Sequence, residues 1–301
     1  MTYHRPVLLD QLLSVAGRPS RAVDATLGDG GHAEALLAAG ADLLGIDRDP
    51  ESIRIARQRL GTERIRYLEA PYASAEALEA VGAFRPDVIL LDLGVSSRQL
   101  DEDARGFSFR PGAALDMRMS GSGRSAADLL NDADEITLAT VFREYGDERR
   151  ARRLAREVVR RRQRQPFAVS DDLVNAIRAV LGPQAGPADF ARLFQAVRIA
   201  VNEELTGLRA ALPALRDALV PGGLLAVISY HSGEDRLVKH AFQDWSRACI
   251  CPPAHPVCTC RGRPLGRAEP RKPILPGAGE IEANPRARSA KLRLFRVADA
   301  A

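Results

Sequence analysis

The feature that most limits what this chain can fold into is the stretch Ala22-Val23-Asp24-Ala25-Thr26-Leu27-Gly28-Asp29-Gly30-Gly31-His32-Ala33. A short apolar run ends at Asp24, three glycines turn the chain, and Ala33, Leu36 and Leu37 follow at helical spacing. This reads as a strand, a glycine-rich turn and a helix start. In that layout backbone approaches a ligand closely and a helix N-terminus faces it. Gly28, Gly30 and Ala33 also satisfy the loose G-x-G-x-x-G/A dinucleotide pattern, which an ordinary strand-to-helix turn matches equally well. The rest of the chain has to decide.

Along the sequence, residues 8–15 read as a short amphipathic helix, 21–26 as the first strand and 33–39 as a helix closed by Gly40. Residues 43–46 form a second strand ending at Asp47, after which Asp49-Pro50 supplies a helix cap and a first-turn proline. Further strands are expected at 65–68 and 87–93, the latter a continuous apolar run suited to a buried parallel strand. The alternation predicts an α/β doubly wound sheet with ligands at the carboxyl ends of its strands. Between about 101 and 200 no strand is evident, and helices are expected at 134–145, 149–164, 170–181 and 187–201. The α/β rhythm resumes with a helix at 202–219, a strand at 224–230, a helix at 234–245 and a strand at 291–297. The expected organisation is a sheet domain over 1–103 and 202–301, with a helical domain inserted at 104–201.

With 46% hydrophobic and 27% charged residues, the 301-residue composition is that of a soluble globular protein. No run approaches the roughly 20 apolar residues of a membrane span, and the start of the chain has no secretory core, so a cytoplasmic protein is expected. The chain is mildly basic at +4, and all but three of its 43 lysines and arginines are arginine. Their densest run is Arg149, Arg150, Arg152, Arg153, Arg156, Arg160, Arg161, Arg162 and Arg164. That run reads either as a solvated helix face or as an RNA contact, the latter giving the inserted domain a purpose.

Asp47, at a strand end, can accept hydrogen bonds from ribose hydroxyls, as in both NAD and S-adenosylmethionine (SAM) enzymes. Asp24 favours SAM, because a carboxylate there can take the ammonium of a methionine moiety and has no use beside a pyrophosphate. Asp92 ends another strand and leads into Leu93-Gly94-Val95-Ser96-Ser97, a small-residue loop able to admit a flat base.

Several motifs resemble the RsmH (MraW) family of bacterial 16S rRNA cytidine N4-methyltransferases. They begin with His4-Arg5-Pro6-Val7-Leu8-Leu9, Thr26 to His32, Gly45-Ile46-Asp47-Arg48-Asp49-Pro50 and Leu90 to Ser97. They continue with Arg105-Gly106-Phe107-Ser108-Phe109, Leu115-Asp116-Met117-Arg118-Met119, Phe194 to Ile199 with Val201-Asn202, and Asn284 to Ser289. The resemblance covers nearly the whole chain in order. It implies a class I SAM-dependent methyltransferase sheet with SAM held by Gly30, Gly31, His32, Asp47, Tyr72, Asp92 and Gln99. Tyr72 stands where the family usually has Phe, beside the adenine. The implied substrate is one cytidine in the decoding region of 16S rRNA, free or within the small ribosomal subunit. Arg118, Arg198, Arg286 and Arg288, all within these motifs, are the candidates for RNA contact. Departures are Arg98 for Pro in Ser-Ser-Pro-Gln, Tyr230 and Gly233 for Phe and Leu in Ser-Phe-His-Ser-Leu-Glu-Asp-Arg, and Ala113-Ala114 for Gly-Pro before Leu115-Asp116.

For the chemistry, the expected catalytic groups are Asp92, as acceptor for the amine, and His231, as a proton relay with an unperturbed pKa near 6.5. The alternatives are that Asp92 only binds SAM and that His231 only anchors its loop. No Asn-Pro-Pro-Tyr motif is present. Cys249, Cys251, Cys258 and Cys260 form C-x-C-x6-C-x-C around His255. Because C-x-C is tighter than the usual C-x2-C, a reduced loop without metal is the simpler expectation and zinc the lesser one. Two rival functions are an NAD-dependent dehydrogenase, resting on the glycine pattern alone, and a non-catalytic ribosome-assembly factor on the same fold.

Overall fold

The computed structural model describes residues 5–251, 257 and 259–299. His255 and Cys258 of the cysteine motif lie outside the described residues. Two compact units are present, Met1–Gly94 with Leu205–Ala301, and Val95–Glu204. The sequence-based divisions at 103/104 and 201/202 lie nine and three residues inside the second unit.

The first unit is built on a seven-stranded sheet of β1 (Arg21–Asp24), β2 (Asp42–Asp47), β3 (Ile65–Glu69), β4 (Val88–Asp92), β5 (Leu224–Ser229), β6 (Gly266–Ala268) and β7 (Lys291–Val297). The order is β3-β2-β1-β4-β5-β7-β6. β1 pairs in parallel with both β2 and β4, β4 with β5, and β7 runs antiparallel between β5 and β6. The chain moves outward from β1 through β2 to β3, then returns to β4 on the other side of β1. The strand order therefore reverses between β1 and β4, which opens a crevice at their carboxyl ends.

Alternation along these strands explains why both faces are covered. Val23, Leu44, Ile46, Ile89, Leu91, Leu225 and Val227 enter one core, with Leu208, Leu212, Phe242 and Trp245 from helices Glu204–Ala218 and Ser232–Trp245. Ala22, Leu43, Val88, Leu90, Leu224, Ala226 and Ile228 enter the opposite core, with Leu12, Leu36 and Ile53 from helices Leu9–Ala16, Gly31–Ala38 and Pro50–Leu60. Strands buried on both sides read as continuous apolar runs, as 87–93 does. Asp49 caps its helix as expected, its carboxylate accepting the Glu51 N–H at 3.1 Å. The short β6 and helix Ala278–Ala283 have no counterpart in the sequence reading.

The second unit contains helices Ser97–Asp101, Ala126–Asp132, Glu135–Thr140, Ala151–Arg162, Ser170–Leu181 and Pro187–Asn202, and no named strand among its described residues. Leu115, Phe142, Leu154, Leu173, Ile177, Leu193 and Phe194 form its core. The helix expected over 134–145 is α-helical only to Thr140 and continues as a wider π turn, Val141–Tyr145, before Gly146. Glu203, with φ of 52°, ends helix Pro187–Asn202 and makes Glu204 the start of a separate helix.

Candidate active site

The glycine-rich turn lies where the sheet order reverses. It joins Asp24, the last residue of β1, to Gly31, the first of helix Gly31–Ala38. Gly30 adopts φ of 84°, and a Cβ on it would stand 2.8 Å from Leu60 Cδ1. A Cβ on Gly31 would stand 2.6 Å from Pro6 Cγ. The left-handed φ favours glycine at position 30, and the Pro6 ring leaves little room for a Cβ at position 31.

Three aspartates end three neighbouring strands: Asp24 on β1, Asp47 on β2 and Asp92 on β4. Burial is the main influence on each. It pushes Asp24 up to about 7, opposed by His32 and the Thr26 N–H, while Asp92 and Asp47 push the same way as burial. Asp47 is pushed up to about 6 by burial, opposed by N–H groups of Asp49 and Gly28. Those N–H groups donate to its two oxygens at 2.8 and 2.7 Å. Each oxygen keeps a further lone pair, so the carboxylate is oriented yet still able to accept from a diol.

Asp92 is also pushed up to about 7 by burial, opposed by a hydrogen bond from Tyr230. Tyr230 Oη donates to Asp92 Oδ1 at 2.9 Å. The backbone N–H of Asp92 donates to Thr26 Oγ1 at 2.6 Å, which ties the end of β4 to the turn after β1. His32 Nδ1 stands 3.6 Å from Asp92 Oδ2, and its Nε2 lies 3.0 Å from the Val7 carbonyl. A carbonyl only accepts, so Nε2 carries a proton, and in the neutral ring Nδ1 offers a lone pair toward Asp92. Burial lowers the His32 pKa, with Asp24 acting against it. The crevice therefore holds a partly buried cluster of acceptors that is short of positive charge.

Tyr72 is half-buried against the core that holds Val23 and Leu91. Gln99, in the second unit, is 5% exposed, and its Oε1 accepts the Ser96 N–H at 3.1 Å while Ser96 Oγ accepts the Gln99 N–H at 3.2 Å. That reciprocal cap starts helix Ser97–Asp101 with Arg98 in the place of proline. His231 caps helix Ser232–Trp245, its Nδ1 accepting the Gly233 and Glu234 N–H groups at 3.2 and 3.4 Å. Its Nε2 stands 3.1 Å from Glu234 Oε1, at an angle outside hydrogen-bond geometry. The observed contacts of this ring are those of an anchor.

Among the arginines, Arg118 grips Asp116 through Nε and Nη2 at 3.0 and 2.6 Å, and Arg198 grips Glu204 through two bonds of 2.9 Å. Arg286 and Arg288 lie exposed on the turn Pro285–Ser289. In the arginine-rich helix, Arg150 and Arg162 donate to carbonyls of Val180, Leu130 and Ala133, and Arg160 and Arg161 pair with Glu157. Arg152 and Arg153 are exposed. Tyr230 is the site residue to which sequence reasoning assigns no role. Its one signal is a hydroxyl at a position where the resembled family carries Phe.

A model of the MraW methylase family matches residues 1–298. The chain belongs to this family. A curated relative from Gemmatimonas aurantiaca, named ribosomal RNA small subunit methyltransferase H, is 58% identical over 99% of this chain and 96% of its own length. Relatives of the same name from Heliobacterium modesticaldum and Rubrobacter xylanophilus are 45% and 47% identical, each covered over 97% of its length, with 97% and 99% of this chain matched. Among solved structures, an rRNA methylase from Streptococcus thermophilus aligns over 99% of this chain and 100% of its own, at 12% identity and a TM-score of 0.43. The sheet, with β7 antiparallel beside the parallel core that runs from β3 to β5, is the doubly wound α/β architecture expected of a class I methyltransferase. No helix among the protein's described residues is long and apolar enough to cross a membrane.

Proposed function

We propose that this MraW-family protein transfers a methyl group from SAM to the exocyclic N4 of a cytidine in the decoding region of 16S rRNA. The observation that carries the reading is the set of three strand-end carboxylates around a tight glycine turn, Asp24 buried and Asp47 and Asp92 half-buried, all with raised pKa. Such a cluster matches a ligand bearing an ammonium and a sulfonium. It opposes the diphosphate of NAD, because like charges in a buried crevice repel strongly. The shared name of the curated relatives supports the RNA substrate. The N4 position rests on the family resemblance.

When bound, SAM supplies an activated methyl group on a cationic sulfur. Gly30, Gly31 and His32 hold its methionine end with Asp24, Asp47 accepts from its ribose, and Tyr72 lies along its adenine. Gln99 completes the set on the strength of the family resemblance. Asp92 has the catalytic role. Its carboxylate accepts a hydrogen bond from the cytosine amine, which favours a pyramidal nitrogen with its lone pair free to react. It then takes the proton that the amine gives up. A base poised near neutrality suits this task. Holding the amine in line can supply ~7–11 kcal/mol of the rate enhancement. His231 supports the chemistry by fixing the turn after β5, and a proton relay through it stands as the alternative role.

The helical unit, Val95–Glu204, serves substrate recognition. Arg286, Arg288 and the exposed Arg152 and Arg153 contact phosphates, while Arg118 and Arg198 act through the loops they brace. The target base is reached in a single strand or extruded at roughly a few kcal/mol. The protein works in the cytoplasm, where small ribosomal subunits are its partner.

The test is transfer of labelled methyl from SAM to small subunits of a strain lacking the enzyme, followed by mass mapping of the nucleosides. One N4-methylcytidine in the decoding region is expected. Binding of NAD in place of SAM overturns the reading. Tight subunit binding with no methyl transfer replaces it with an assembly factor.

A further inference from the structure

We infer that Cys249, Cys251 and Cys260 form a structural site for a thiophilic divalent metal ion, with zinc as the expected occupant. After helix Ser232–Trp245 the described chain forms no helix or strand until β6 at Gly266. Two sets of contacts pin the described residues of this segment to the helix end. Its neck is closed by the Leu265 N–H donating to the Trp245 carbonyl at 2.9 Å. Arg261 donates to the carbonyls of Asp244 and Arg247, drawing Cys260 back toward the helix end. The result is that the sulfurs of Cys249, Cys251 and Cys260 all lie within 4.8 Å of one another.

None of the three is in a disulfide. Thiols are weak hydrogen-bond donors and acceptors, so little is gained by gathering three of them unless something binds them jointly. A tetrahedral zinc with Zn–S of about 2.3 Å holds its sulfurs about 3.8 Å apart, which small side-chain rotations reach from the observed spacing. The Ile250 N–H donates to Cys260 Sγ at 3.3 Å. A backbone N–H···S bond of this kind can orient a metal-bound sulfur. The donor set is all sulfur, which selects zinc over magnesium or calcium. The tight C-x-C spacing by itself argues against a metal. The approach of Cys260 across the loop supplies the third ligand that spacing does not show.

The experiment uses the full chain purified under reducing conditions. Elemental analysis is expected to find close to one zinc per chain. Stripping the metal and adding Co2+ is expected to give the intense near-ultraviolet sulfur-to-cobalt charge-transfer band. Cys251→Ser and Cys260→Ser are each expected to lose the zinc and the band while keeping the helix content of the parent by circular dichroism. Substoichiometric zinc together with no charge-transfer band on adding Co2+ to the reduced chain overturns the inference. A disulfide between any two of the three in rapidly alkylated cell extract also overturns it. Should the variants not fold, the Co2+ spectrum of the unaltered chain still decides. None of these readouts depends on SAM or RNA.

Discussion

Tyr230, just past β5, donates its phenolic proton to Asp92 at the end of β4, 2.9 Å away and 138 residues earlier in the chain. Burial and the Asp92 carboxylate raise the Tyr230 pKa well above its ordinary value, so the phenol remains a donor throughout the working pH range. A hydrogen bond to the charged form of an acid lowers its pKa, and this one acts against the burial that lifts Asp92 to about 7.

Tyr230→Phe is therefore expected to raise the Asp92 pKa further. If Asp92 must be ionised to accept the proton of the amine, the acidic limb of the kcat–pH profile moves upward by roughly one unit. Asp92→Asn is expected to lower kcat by ~10²-fold or more, with a much smaller loss of SAM affinity. Full methylation by Asp92→Asn would remove the catalytic role and leave Asp92 as a binding residue.

SAM binding is expected to tighten as pH rises through about 6 to 7, with release of protons. Asp24, Asp47 and Asp92 are raised to about 7, 6 and 7 without ligand, and a cationic ligand draws them back down. Calorimetry in buffers of different ionisation enthalpy reads the proton count directly. S-adenosylhomocysteine, lacking the sulfonium charge, should show a shallower dependence.

The same shifts bear on stability. The folded-state pKa of Asp24 lies above its ordinary value of 3.8, so its contribution favours the fold most below that value and is lost as pH rises through about 7. Asp24→Asn is expected to raise the ligand-free Tm at pH 8 by a few degrees, to change it little at pH 4, and to weaken SAM binding. A lowered Tm at pH 8 would contradict the burial argument.

Gly30→Ala forces φ of 84° on an alanine and brings its Cβ to 2.8 Å from Leu60 Cδ1. A loss of roughly 1–3 kcal/mol in stability and a tenfold or greater loss of SAM affinity are expected. Gly17→Ala is the control, because its φ is 67° and nothing stands within 4 Å of the added Cβ. It should destabilise the chain and leave SAM affinity unchanged.

Arg198 and Glu204 have side chains only 14% and 9% exposed. Arg198→Ala leaves a nearly buried carboxylate unpaired and is expected to cost about 3 kcal/mol, largely restored by adding Glu204→Gln. Arg286→Ala and Arg288→Ala should leave Tm nearly unchanged and each reduce the salt slope of rRNA binding by about one. Salt-independent binding by the parent chain would contradict the phosphate contacts.

Much of the fold is legible in the sequence for local reasons. Apolar runs that end in aspartate mark the buried strands and their carboxyl ends, and Asp49-Pro50 marks a helix start through its own cap. Gly30 takes a left-handed φ and Gly31 lies against the Pro6 ring, so the glycine-rich turn is visible in the order of residues alone. The limits of the helical unit are less legible. A residue such as Glu203 breaks a helix by adopting φ of 52° with no proline or glycine to announce it.

By itself the sequence determined the α/β core, the glycine-rich turn with its three strand-end aspartates, and membership of one methylase family. Periodicity, caps and short motifs act within a few residues of one another, and a linear reading captures them. Only the tertiary structure decided which distant groups meet. Tyr230 reaches Asp92 because β5 lies beside β4 in the sheet, and Cys260 joins Cys249 and Cys251 because the loop neck closes on Trp245. Arg198 engages Glu204 because the chain bends at Glu203. Strand order and chain reversal set these contacts, and neither is encoded in the spacing of the residues that make them.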